Sequence, residues 1–101
     1  MTYKVNSKTT SIKGSSFKGT VSTTYDELVS KLGEPRGPSA DNKVKAEWII
    51  EGEDGTVATI YDWKLDKIPT DLHEWHVGGI TYKAHDLVEE VLGVSTFASK
   101  F

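Results

Sequence analysis

Two carboxylates and an imidazole fall on three neighbouring segments with strand character: Glu47, Asp62 and His76. Donors of this kind bind divalent metals, and His73 of the same segment could stand in for His76. Their spacing follows no metal motif, so the plainer reading is a solvated ladder of exposed ion pairs. Gly78-Gly79, in "HVGGI", could cradle an anion with backbone N–H groups ahead of a helix. The phosphate-binding glycine motifs are longer and differently spaced, which favours a simple strand-to-helix turn. Arg36 is the only arginine. It lies in the loop "GEPRGPSADN", where a guanidinium can anchor a partner or a phosphate. A second polar loop, "KLDKIPTDL", offers Asp66, Lys67 and Asp71 as binding residues. Trp63 and Trp75 can supply stacking surface for a base or nucleotide, with Arg36, His76 or the Gly78-Gly79 backbone beside them.

Signals for covalent catalysis are missing. There is no Gly-x-Ser-x-Gly elbow, and no Ser-x-x-Lys comes with its supporting motifs. The chain has no cysteine, which removes disulfides, thiolate zinc sites and cysteine nucleophiles. The expectation is a non-enzyme without cofactor or bound metal, the Glu47, Asp62 and His76 cluster being the one metal arrangement to test.

These residues need a scaffold, and 101 residues are enough for one domain, spanning 1–101. Hydrophobic residues at 37% against 27% charged place the chain among globular domains and outside disordered ones. A formal charge of -3 gives no footprint for duplex nucleic acid. No apolar run approaches the ~18 residues of a membrane span, and "MTYKVNSKTT" does not read as a signal peptide. A soluble, cytoplasmic protein is expected.

Residues 1–22 alternate weakly and predict two short strands with a turn near Gly14. In "TTYDELVSKLGEP", Thr24 and Glu27 have capping-box spacing, Tyr25, Leu28, Val29 and Leu32 share a face, and Gly33 and Pro35 stop the helix. A second helix is predicted near 82–92, ending at Gly93. Strands are predicted over 43–51 and 56–64, with a third in "HEWHVGG" stopped by its glycines. Residues 94–101 form a tail that packs through Val94 and Phe97 or frays. The fold class is α+β: an antiparallel sheet of four to five strands, order β-β-α-β-β-β-α, with both helices on one face.

Reading Asp54-Gly55 as the two central residues of a hairpin turn fixes a register. It sets Trp48 opposite Tyr61 and Ala46 opposite Trp63 on one apolar face, read as the core beneath the helices. The second face then carries Lys45, Glu47 and Asp62, with Lys64 as a diagonal partner. The alternative for the first face is an aromatic platform, with one or two rings at the sheet edge where their polar atoms reach water.

The segments "TYDELVSKLGEP", "AEWIIEGEDGTVATIYDWK" and "WHVGG" resemble a pattern in small bacteriophage-encoded proteins of uncharacterised function. That pattern is Tyr-Asp-Glu-Leu…Gly-x-Pro, a Trp-bearing strand, Asp-Gly, Ile-Tyr-x-Trp-Lys and Trp-His-x-Gly-Gly. The match spans roughly residues 24–93. It implies a phage origin and a compact fold, and it transfers no catalytic residue. Small phage proteins often act by binding, an association of class alone. The leading expectation is therefore an inhibitor or modulator of a host protein or defence system. The alternatives are a small-ligand or nucleotide binder, a small metal-dependent enzyme, or a virion component.

Overall fold

The computed structural model describes residues 3–7, 10–38, 43–63 and 67–98. In chain order the elements are β1 (Tyr3–Val5), β2 (Ser16–Thr23), α1 (Tyr25–Leu32), β3 (Glu47–Gly52), β4 (Val57–Tyr61), β5 (His73–Gly79), α2 (Lys83–Leu92) and β6 (Thr96–Ala98). The strands form one antiparallel sheet in the order β1-β3-β4-β5-β2-β6. The α+β class and the two helices agree with the sequence reading. The sheet has six strands rather than four to five, because the tail pairs with β2 as an edge strand.

The helices begin and end where their capping residues dictate. The Thr24 hydroxyl accepts the Glu27 N–H at 3.1 Å, and the Gly33 N–H closes the other end on the Val29 carbonyl at 2.8 Å. Leu28 and Leu32 of α1 and Ala84, Leu87, Val88 and Leu92 of α2 are buried against one face of the sheet. That face contributes Val21, Ala46, Trp48, Ile50, Ala58, Ile60, Trp75 and Val77. Trp48 and Trp75 meet edge to face, with ring centroids 5.6 Å apart. The Trp48 indole N–H donates to the Gly33 carbonyl at 2.8 Å, which ties the end of α1 to the sheet.

The hairpin between β3 and β4 corrects the expected register. The Gly52 N–H donates to the Thr56 carbonyl and the Gly55 N–H to the Gly52 carbonyl, so Glu53, Asp54 and Gly55 form a three-residue loop. Gly55 has φ 87°, the left-handed residue that such loops require after a type I turn. Trp48 therefore lies opposite Ile60, and Glu47 opposite Tyr61. A one-residue slip moves the partner strand to the other face. Tyr61 and Trp63 consequently leave the helix-covered face that holds Trp48, and Asp62 enters it. The two tryptophans lie on opposite faces, contrary to the expected arrangement, and no charged ladder of Glu47 with Asp62 exists. Lys64 lies outside the described residues.

Two further expectations change. β1 and β2 do not pair with each other; β1 joins β3, and β2 joins β5 and β6. The Gly14 turn, closed by Ser15 N–H on the Ile12 carbonyl, belongs to a segment crossing between them. β5 ends at Gly79, as expected, but Gly78 and Gly79 both pair within its ladder, between β4 and β2. A Cβ on Gly79 would collide with Ala84 of α2, so the glycine lets the helix settle onto the sheet. At the far edge, Glu89 accepts from both the Thr96 N–H at 2.8 Å and the Thr96 hydroxyl at 3.0 Å, which docks β6 on α2.

Candidate functional site

The sheet face away from the helices gathers Phe17, Tyr61, Trp63 and His76. Alternation along β4 points Thr59 and Tyr61 outward, and Trp63 follows two residues later. His76 is the ladder partner of Tyr61, and Phe17 sits opposite Gly78 on the next strand. Tyr61 lies 5.4 Å from His76 and 6.2 Å from Trp63, roughly perpendicular to both, and the Trp63 and His76 rings are near parallel at 6.4 Å. Phe17 completes the row, 4.8 Å from His76. Trp63 is 41% exposed, whereas Trp48 and Trp75 are fully buried. The Lys43 ammonium stands 6.0 Å from the Trp63 ring centre.

A recess of about 210 Å³ opens beside these rings. Phe17, Glu47, Thr59, Tyr61 and Trp63 line it, and Ile12 and Ser15 from the crossing segment close one side. That segment is held over the face by the Thr10 hydroxyl, which donates to Glu51 at 2.7 Å.

Among the described residues, Glu47 is the charged group lining this recess. Burial pushes its carboxyl above the ordinary value, and the Arg36 guanidinium partly offsets the rise. Arg36 is positioned by its own N–H, which donates to the Glu47 carbonyl at 2.8 Å and extends the β3 edge. Burial also raises the Tyr61 phenol, with Glu47 adding to the effect. The His76 pKa is lowered by burial first and by His73 second, so the imidazole is neutral at neutral pH. The chemistry on offer is stacking surface, hydroxyls and one partly dehydrated carboxylate.

The structure brings Arg36, Trp63, His76 and Gly78 to this one region and sends other expected residues elsewhere. Asp62 is fully buried on the helix side, where Oδ1 accepts the Lys45 N–H at 2.8 Å and the Ala46 N–H at 3.0 Å. It cannot meet Glu47 and His76 on the opposite face, and among the described residues no three His, Cys, Asp or Glu side chains cluster as metal ligands. Trp75 is a core residue. Gly78 and Gly79 are committed to the ladder of a central strand, not to a loop before a helix. Lys67 and Asp71 are exposed beside a separate shallow recess of about 480 Å³ that includes Ile68 and Leu72. Asp66 lies outside the described residues.

Phe17, Thr59 and Tyr61 were not singled out as binding residues from the sequence. A two-residue turn would place Tyr61 in the core, whereas the three-residue loop turns it to the open face. The signal that could have found it is Glu53: a Glu-Asp-Gly loop ending in glycine also suits a three-residue hairpin, which turns Tyr61 and Trp63 away from the core.

Fold and recess together define a two-layer α+β protein with an aromatic recess on the sheet face opposite its helices. Comparison with family models, curated proteins and solved structures finds no match. No helix among the described residues is long and apolar enough to cross a membrane.

Proposed function

We propose that the protein works by capturing a small planar ligand in the open-face recess. The observation that carries this reading is a recess lined by Tyr61, Trp63 and a half-buried Glu47, with the His76 ring packed against both aromatics. A partly exposed tryptophan with other rings beside it gives a ligand apolar area and a fixed orientation. The half-buried carboxylate adds a polar contact that rewards a ligand donating hydrogen bonds. The strings "IYDWK" and "WHVGG", which carry the resemblance to phage proteins, supply Tyr61, Trp63, His76 and Gly78 of this region. A phage origin would make the ligand a host or defence-signal molecule, sequestered without turnover.

A protein partner is the second reading, favoured by the loop at Lys67–His73. Leu72 there is 72% exposed, the most exposed of the large hydrophobic side chains among the described residues.

Protein-detected NMR tests the first reading. Three indole N–H signals should resolve, and only that of Trp63 should move when panels of nucleotides, amino acids and sugars are added. Movement confined to residues 67–73 on adding host lysate protein, with Trp63 silent throughout, would favour the second.

A further inference from the structure

Resting on the reading of the recess as a ligand site, we propose that its ligand is a guanine mononucleotide, with the base on Trp63 and its N–H edge on the Glu47 carboxylate. Stacking alone does not choose among bases, since every base has a π-face. The choice falls to Glu47, the charged group among the described residues lining the recess. An ionised carboxylate only accepts hydrogen bonds. Guanine presents two adjacent donors, N1–H and the 2-amino group, which match the two carboxylate oxygens side by side. Adenine and cytosine place an acceptor nitrogen next to their amino group, which would face one of those oxygens. Uracil flanks its single N–H with two carbonyls. The half-buried state of Glu47, which raises its pKa, makes an unmatched edge costly and a matched one favourable.

The rest of the nucleotide also finds chemistry at hand. The Lys43 ammonium, 6.0 Å from the Trp63 ring centre, puts a cation beside the stacking ring for a phosphate. At about 210 Å³ the recess is smaller than the usual ~300–1,000 Å³ of a drug-sized site. It takes one base, with sugar and phosphate projecting over the rim. The formal charge of -3 disfavours a polyanionic strand, so a mononucleotide fits better than single-stranded RNA or DNA.

The experiment is a titration of the full chain with GMP, IMP, AMP and CMP, followed by calorimetry and by intrinsic fluorescence. Trp48 and Trp75 are fully buried, so quenching of the solvent-facing emission reports Trp63. GMP should bind about tenfold or more tightly than AMP or CMP, with IMP, which lacks the 2-amino group, between them. Glu47→Gln should bring GMP down to the affinity of AMP. Trp63→Ala should abolish binding of all four by calorimetry while leaving the thermal midpoint nearly unchanged. Equal affinity for GMP and AMP, or a guanine preference that survives Glu47→Gln, overturns the base assignment and leaves the recess as a ligand site. The same holds if no nucleotide binds while another member of the NMR panel shifts Trp63. If nothing shifts Trp63, both the base assignment and the ligand-site reading fall.

Discussion

Glu47 carries a charge that its surroundings only partly accommodate. Its pKa is raised in the folded protein, chiefly by burial, so the folded state holds the proton more tightly than the unfolded chain. The stabilisation from that proton is fully present below the ordinary value of 4.5 and is lost as the pH rises through the folded-state value. Glu47→Gln removes this dependence. Its thermal midpoint should exceed that of the parent at neutral pH, and the gap should close as the pH falls below the carboxylate range. Arg36→Ala should enlarge the gap, because the guanidinium opposes the rise. Melting curves from about pH 4 to about pH 8 check both points. Trp48 makes the opposite case. It is fully buried and its indole N–H holds the Gly33 carbonyl. Trp48→Ala should cost about 3–5 kcal/mol by chemical denaturation, and the hydrogen bond to α1 is lost with it.

At the scale of elements, what could be read in advance was whatever local chemistry specifies. Thr24 with Glu27, the stop at Gly33 and the stop at Gly93 fix both helices within a residue or so of where they lie. "HEWHVGG" coincides with β5. The hairpin was located but misregistered, because Asp-Gly fits the end of a three-residue loop as well as the whole of a two-residue one. That single residue decides which face Tyr61 and Trp63 occupy, and the candidate site hung on it. β6 was missed because three residues carry no periodicity; its place comes from β2 and from Glu89. The order of strands was not legible either, since β1 and β2 join different neighbours far along the chain. The α2–sheet contact yields its own prediction. Gly79→Ala would press a methyl group into Ala84 and crowd the Thr81 and Val57 carbonyl oxygens, each 3.2 Å from the new Cβ. Overpacking of this kind should cost about 1–3 kcal/mol in equilibrium unfolding and broaden the amide signals of α2.

Across the whole molecule, acidic character and layering set what can approach. The helices cover one face of the sheet, so large ligands meet either the open face or the loops. With a formal charge of -3, the protein should give no mobility shift with a short duplex DNA at physiological salt. A salt-sensitive shift would show that its few cations form a stripe capable of tracking a phosphate backbone. The sheet's borders have a different consequence. Its outermost strands, β1 and β6, are three residues each, while the four between them run from five to eight. Another copy seeking to add its own strand finds little unpaired ladder to extend. Sheet-to-sheet joining of copies at either border should therefore be weak, and light scattering of a concentrated solution should show no growth of extended assemblies.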